Sequence, residues 1–177
     1  ATMPHALINN RNGTFSFVKL DEATANAANN DNYWKDRDVG DDVSNPFPTF
    51  TGHKIQEMFF HRNRLGFVSG ENIILSQPGS YFNFFIVSAI SFSDDNPIDI
   101  TVSDVKPAFI NHVLPIQKGL MMFSDNGQFL LFTESDIFSP KTARLKKVAS
   151  YECDSSIQPV DLGTSILFTS NVAAYAR

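Results

Sequence analysis

Three apolar runs separated by breaks of only two residues constrain the fold of this chain most strongly. They lie in KIQEMFFHRNRLGFVSGENIILS, residues 54–76, and the breaks are Asn63-Arg64 and Glu71-Asn72. A two-residue connection joins antiparallel strands, because parallel strands need a crossover of roughly a dozen residues or more. The segment therefore predicts a three-stranded antiparallel meander, with Gly66 and Gly70 where backbone freedom or close approach is needed.

Similar patterns recur along most of the chain. Asn12-Gly13 predicts a hairpin turn between strands at Met3 to Ile8 and Thr14 to Leu20, and Asn126-Gly127 predicts a second hairpin. Further strands are predicted at Tyr81 to Phe85 (a less clear continuation of the meander), Ile98 to Val102, Ala108 to Ile116, Leu120 to Ser124, Gln128 to Thr133, Ala143 to Tyr151 and Gly163 to Thr169. Short strands without a long helix indicate an all-β sandwich, barrel or propeller.

A faint internal repeat favours the propeller. GENIILS at residues 70–76 and DNGQFLLFT at 125–133 each place an apolar strand directly after a tight turn, at an offset of about 55 residues. That spacing suits four-stranded blades with an insertion. We therefore expect antiparallel meanders that form part of a β-propeller.

The charge of the chain is unevenly distributed. The net charge is −5, and residues 21–45 hold seven acidic residues against Lys35 and Arg37, so the rest of the chain is balanced. This Asn-rich stretch predicts a long surface loop or insertion, with one helical turn possible in EATANAAN. The chain lacks the extended basic surface that is typical of high-affinity nucleic-acid binding.

One basic cluster, formed by Lys141, Arg144, Lys146 and Lys147, lies in a predicted strand. Arg144 and Lys146 would share one face, with Leu145 and Lys147 on the other. The cluster suits a solvated edge strand. Alternatively, it contacts an acidic neighbour, for which Asp36, Asp38, Asp41 and Asp42 of another subunit are candidates.

No motif predicts catalysis or a bound cofactor. The four histidines, His5, His53, His61 and His112, have no metal-site spacing. The segment Asp94 to Asp99 has alternating oxygen ligands, yet it lacks the glycine and the bidentate glutamate of a calcium loop, so an ordinary turn is favoured over a cation site. Glu57, Glu71 and Glu134 offer carboxylates for a glycosidase, but any chain of this length does. Ser69-Gly70 lacks the first glycine of a nucleophile elbow.

Cys153 is the single cysteine, which excludes a disulfide within these 177 residues and indicates a small buried residue or an inert thiol. No apolar run approaches the roughly 18 residues of a membrane span, and the first residues do not read as a signal peptide. We expect a soluble β domain over residues 1–177, which reads as an internal piece of a longer polypeptide.

Several motifs together resemble one protein family. TMPHAL, NPFP, FFHRNRLGFVSGENIILS, YFNFF and SDDNPIDITVS, in this order, are similar to the central part of the tail nozzle (tail tubular protein B) family of short-tailed bacteriophages. The resemblance runs from about Thr2 to Thr169 and is weak across Ala23 to Asp42 and after Phe132. It implies a structural virion protein without enzymatic activity, with a β-propeller in each subunit of a hexameric ring. The implied partners are other copies of the chain, the tail adaptor, the tail fibres and the genome DNA that passes through.

The resemblance makes one set of residues its structural signature: Arg62, Asn63, Arg64, Gly66, Gly70, Glu71 and Asn72. We expect Arg62 and Arg64 to tie the meander to a neighbouring element through carboxylates. Two alternative functions remain open. One is a glycan-binding or carbohydrate-active tail domain that would need exposed Tyr33 and Trp34, and the other is a propeller interaction module without a viral role.

Overall fold

The computed structural model describes residues 4–21 and 33–170. Within them it contains twelve strands: β1 His5–Asn9, β2 Phe15–Lys19, β3 Glu57–His61, β4 Arg64–Ser69, β5 Asn72–Leu75, β6 Ile98–Thr101, β7 Ile110–Ile116, β8 Gly119–Ser124, β9 Gly127–Thr133, β10 Ala143–Ala149, β11 Val160–Asp161 and β12 Ile166–Leu167. No helix in this part of the chain is long and apolar enough to cross a membrane. The helical turn predicted in EATANAAN lies outside the described residues, as does the predicted strand start at Met3.

The predicted meander forms the first four-stranded sheet, in the order β3-β4-β5-β6 with every pair antiparallel. Both predicted turns are shifted by one residue. The turn residues are Arg62-Asn63 and Gly70-Glu71, because Arg64 pairs with His61 and Asn72 pairs with Ser69. Tyr81 to Phe85 is not a strand, and β6 takes the fourth place in the sheet instead.

The second sheet repeats the first in sequential order, β7-β8-β9-β10, again antiparallel throughout. Its central hairpin turns at Asp125-Asn126, since Ser124 pairs with Gly127. Gly127 therefore belongs to a strand, where a Cβ would lie 2.8 Å from the carbonyl oxygen of Ala149. Close packing against β10, rather than the turn, requires this glycine.

The two sheets pack face to face around one apolar core. The first sheet contributes Phe59, Val68, Ile73, Leu75 and Ile98, and the second contributes Ile110, Val113, Leu120, Met122, Phe129 and Leu131, all buried. Alternate residues of most strands point to this shared face, as the two-residue period of a strand requires. In β7 a register shift between Ile110 and His112 puts Ile110 and Val113, three residues apart, in the same core. The all-β prediction with antiparallel meanders is confirmed at the level of two four-stranded sheets.

A second apolar cluster covers the other face of the first sheet. Leu65, Phe67 and Ile74 of that sheet pack against Trp34, Phe50 and Phe84 from the loops. The chain is thus layered as loop, first sheet and second sheet. The β1-β2 hairpin stands apart as a two-stranded ribbon with exposed Leu7, Phe15 and Phe17, and β11-β12 form another small pair.

Candidate structural site around Arg64

Arg64 is the largest fully buried side chain in the described part of the molecule, with 2% of its surface exposed. Its Nη1 donates to the carbonyl oxygens of Ser76 at 2.7 Å and Asn96 at 2.8 Å. Its Nη2 donates to the carbonyl oxygens of Asp94 and Phe138, both at 3.2 Å. One guanidinium at the start of β4 therefore fixes two loops: both ends of the β5-β6 connection, residues 76–97, and the segment that precedes β10.

The prediction that Arg62 and Arg64 bind carboxylates is wrong. Both side chains bind backbone carbonyls: Arg62 donates to the carbonyl oxygen of Asp136 at 3.4 Å and lies over the ring of Phe138. Burial lowers the pKa of Arg64, and the nearby charge of Asp95 raises it. The planar fork of a guanidinium satisfies several carbonyls at once, so no carboxylate has to be buried with it.

The Arg64 contacts also explain the Asp94 to Asp99 segment. The carbonyls of Asp94 and Asn96 point to the guanidinium, while the Asp99 carboxylate accepts hydrogen bonds from the N–H and hydroxyl of Thr49, both at 2.9 Å. The positive charge that these loop carbonyls bind is therefore the guanidinium of Arg64. Residues 4–21 and 33–170 contain no group of three or more His, Cys, Asp or Glu that could hold a metal ion.

The turn before Arg64 is built by residues in the left-handed region. Arg62 has φ 46° and Asn63 has φ 60°, which is the two-residue hairpin geometry that matches the twist of antiparallel strands. Asn63 is held from both sides, because its carbonyl accepts the N–H of Gly79 at 2.8 Å and its side-chain oxygen accepts the hydroxyl of Tyr81 at 2.6 Å. This end of the meander is thereby attached to the loop that follows β5.

The opposite end of the meander is attached to the second sheet. The Glu71 carboxylate accepts the N–H of Ala108, just before β7, at 2.7 Å. The backbone carbonyl of Glu71 accepts the N–H of Val102. Asn72 accepts the hydroxyl of Thr101 at 2.5 Å. Gly70 has φ 63°, so it supplies the positive φ of this turn.

In the middle of the meander, Gly66 lies under the ring of Phe59, its partner on β3. A Cβ at residue 66 would overlap that ring. Gly66 therefore allows an aromatic ring to lie flat across β4, which is the close-approach role expected from the sequence.

His61 is an uncharged part of this site. Its ring meets the ring of Phe138 edge to face at 5.4 Å, and Nε2 is buried without a hydrogen-bond partner. Burial, with a smaller contribution from the charge of Arg62, lowers the pKa of His61 to about 4. The imidazole is neutral near pH 7 and acts as an aromatic packing group.

Glu57 is a further tie between the sheets that the sequence did not reveal. Its carboxylate, on β3, accepts the N–H of Val113 on β7 at 2.7 Å and lies 3.7 Å from Nδ1 of His112. Burial raises the pKa of Glu57. The one signal in the sequence for this role is that Glu57 is a single acidic residue at the start of an apolar strand. Glu57 and Glu71 both bind backbone amides, whereas Glu134 is exposed.

The aromatic platform proposed for glycan binding is not formed by Trp34. Trp34 is 9% exposed, packs against Phe67 and Phe82, and donates its indole N–H to the carbonyl oxygen of Pro4 at 2.7 Å. The indole is thus an anchor of the acidic loop on the first sheet.

Cys153 is also buried.

A groove of about 560 Å³ lies between the loop after Phe47 and the β4-β5 turn. Phe47 and Phe109 form its apolar walls, and His53 and Lys54 are its only ionisable lining residues. No carboxylate faces them, so an acid-base pair of the kind that hydrolases use is not assembled in this groove.

The two candidate interface groups lie on different sheets. Arg144, Lys146 and Lys147 lie on β10, an edge strand of the second sheet, and Lys141 precedes it. Asp36, Asp38, Asp41 and Asp42 lie on the loop that covers the first sheet, all exposed. Within one chain Asp42 pairs with Arg37 and Lys147 pairs with Asp104, both at 2.5 Å.

Comparison with known proteins gives the family of this chain. The model of the family described as bacteriophage nozzle protein matches residues 1–177. The chain belongs to the bacteriophage nozzle protein family. It is 38% identical over 169 residues to the tail tubular protein gp12 of Escherichia phage T7. The aligned region covers 96% of this chain and 20% of that relative. As a nozzle family member, the chain is a structural component of a virion tail.

Proposed function

We propose that this chain is the propeller portion of a longer nozzle subunit, which assembles with copies of itself into a six-membered ring that conducts the genome out of the virion. The observation that carries the proposal is the family match over the whole chain, together with the similarity to a tail tubular protein. The chain spans 20% of the length of that relative, so the activity and partners of the whole subunit are part of this proposal.

Two successive antiparallel sheets support the propeller. Each has four strands in sequential order, and the two share an apolar core across facing surfaces. This is how neighbouring blades of a propeller pack. We assign β3 to β6 and β7 to β10 to consecutive blades, with residues 33–45, the described part of the acidic stretch 21–45, as a surface loop on the first.

The role of the proposed ring is mechanical. An overall charge of −5 and a single small basic cluster suit a wall past which DNA slides without sequence-specific contact. The chain would act without enzymatic activity, and the subunit would also contact the tail adaptor and support the tail fibres. The burial of Trp34 removes the main argument for a glycan-binding alternative.

Electron microscopy of the full-length protein tests this proposal. Negative-stain images should contain rings with six-fold symmetry that bind the purified adaptor ring, and a cryo-electron microscopy map should place β3 to β6 and β7 to β10 side by side as blades. A subunit that stays monomeric at high concentration and does not bind the adaptor would contradict it.

A further inference from the structure

The groove between the loop after Phe47 and the β4-β5 turn (the Phe47 groove) lies at an end of the sheets. It is lined by Ser69 and Asn72 at that turn and by Phe109, which directly precedes β7. Blades of a propeller pack through the faces of their sheets, so this packing leaves the turns at the strand ends open. The volume of about 560 Å³ lies within the roughly 300 to 1,000 Å³ that is common for binding sites.

The lining of the Phe47 groove combines aromatic surface with positive charge. The side chains of Phe47 and Phe109 are 56% and 54% exposed, which is the kind of aromatic surface that protein interfaces use. His53 and Lys54 are exposed beside them and are the only ionisable groups among the described lining residues. The groove therefore suits a partner that is both apolar and acidic.

Hydrogen bonds hold the polar part of the lining in place. The side-chain oxygen of Gln56 accepts the N–H of Gly70 at 3.0 Å, and the hydroxyl of Ser69 donates to the carbonyl oxygen of Lys54 at 3.0 Å. The side-chain oxygen of Asn72 is also occupied within the first sheet. Gln56 and Asn72 thus keep their amide N–H groups as donors. A partner meets groups that are already ordered, which reduces the entropy lost on binding.

These groups match a peptide that carries a carboxylate next to an apolar side chain. The carboxylate would bind His53 and Lys54, and the apolar side chain would pack against Phe47 and Phe109. Carbonyl oxygens of the peptide backbone would accept hydrogen bonds from the side-chain amides of the lining. A neutral saccharide fits less well, because its hydroxyl groups also need acceptors and no carboxylate lines the groove.

Acidic residues of the chain itself are held at other places. Asp36 and Asp38 lie on the loop that covers the first sheet, and Asp94 and Asp95 lie on the loop held by Arg64. The chain is a structural component of a virion tail, where other proteins surround it. We propose that the Phe47 groove binds an acidic and apolar peptide segment of a different protein of the tail. This inference goes beyond the proposed function, because it requires neither the propeller nor the six-membered ring.

Cross-linking of purified virion tails with a carbodiimide tests the proposal, because this reagent joins an ammonium group to a carboxylate without a spacer. Mass spectrometry should find Lys54 coupled to an aspartate or glutamate of a different tail protein. Lys54→Arg is the control, because it keeps the charge but cannot be coupled, so tails should assemble and lack this cross-link. Tails without the cross-link, or with Lys54 coupled only to another copy of the subunit, would overturn the proposal.

The cross-linked segment, made as a fluorescent synthetic peptide, should bind the full-length protein in fluorescence anisotropy. Lys54→Glu should raise the dissociation constant by about tenfold or more, since an ion pair is replaced by repulsion. Phe109→Ser should weaken binding by about tenfold through the loss of apolar contact. Lys118→Glu makes the same change in charge in the β7-β8 turn and should bind like the wild type. Equal losses in all three variants, with folding verified by thermal unfolding, would contradict this site.

The outcome is separable from that of the proposed ring. Six-fold rings in which Lys54 forms no cross-link to another protein would leave the proposed function standing and remove the groove as a docking site. The cross-link in tails without six-fold rings would do the reverse. An acidic saccharide is tested with oligogalacturonate. If that probe binds the wild type but not Lys54→Glu, and tails lack the cross-link, the groove binds a saccharide and the peptide proposal is wrong.

Discussion

Replacing Arg64 with methionine should weaken the described domain more than any other single polar substitution in the meander. The change removes hydrogen bonds to the carbonyls of Ser76, Asn96 and Phe138, which are buried, and to that of Asp94, which is partly buried. Each buried carbonyl left without a donor costs about 1 to 3 kcal/mol. Relief from burying a charge offsets part of this loss. We expect a net cost of about 3 kcal/mol, a large share of the roughly 5 to 15 kcal/mol that stabilises a typical domain.

Hydrogen exchange followed by mass spectrometry measures this cost inside the full-length protein. A loss of 3 kcal/mol should accelerate exchange roughly a hundredfold in peptides that contain residues 64–76, 93–98 and 136–139. Arg62→Met is the matched control, because Arg62 is exposed and makes one hydrogen bond of 3.4 Å. Its effect should stay below about 1 kcal/mol. Equal effects of the two variants, or fast exchange confined to residues 64–76, would refute the idea that Arg64 fastens both ends of the β5-β6 connection and the segment before β10.

Other substitutions test separate parts of the structure. Gly66→Ala should cost about 1 to 3 kcal/mol, because its methyl group displaces the ring of Phe59, and thermal unfolding measures the loss. His61 should make the stability of the domain fall with acidification. Its pKa is about 4 in the folded state and 6.5 in the unfolded state, so the unfolded state binds a proton first. The stability that neutral His61 contributes is therefore fully present above pH 6.5 and is lost as the pH falls towards 4. With allowance for its partial exposure the effect is about 1 to 2 kcal/mol, and His61→Gln should flatten the curve of melting temperature against pH. Trp34→Ala should release the acidic loop and speed tryptic cleavage after Lys35 and Arg37, whereas Tyr33→Ala should not; equal cleavage rates would argue against the anchor.

The sequence was sufficient for the type of fold because its strongest signals are local. Two-residue breaks between apolar runs permit one kind of pairing, and the meander formed where they predicted it. The turns differ by one residue because Arg64 and Asn72 each pair across the strand, and no local preference distinguishes a polar turn residue from a polar strand residue. Tyr81 to Phe85 has the aromatic pattern of a strand, but Phe82 and Phe84 pack in the cluster around Trp34 instead.

The ties of the candidate site could not be predicted in the same way, because their partners are distant in the chain. Arg64 reaches Phe138 across 74 residues, and Glu57 reaches Val113 across 56. A charged residue beside an apolar strand normally suggests a solvated face, and only the tertiary arrangement reveals that Arg64 is buried. The same limit applies to Trp34, whose position in an acidic, Asn-rich stretch suggested exposure.

The polar residues at the two ends of the meander bind different parts of the chain, which explains why the meander contains so many polar residues. At one end, Asn63 and Arg64 bind the loops that surround the first sheet and reach the loop before β10. At the other end, Glu71 binds the segment that enters β7, and Gly66 between them serves only packing within the first sheet. Disruption at Gly66 should therefore loosen one sheet, whereas disruption at Arg64 or Glu71 should uncouple the two sheets from each other. In the proposed nozzle wall, fastening both ends of one meander should make the two sheets move as one body.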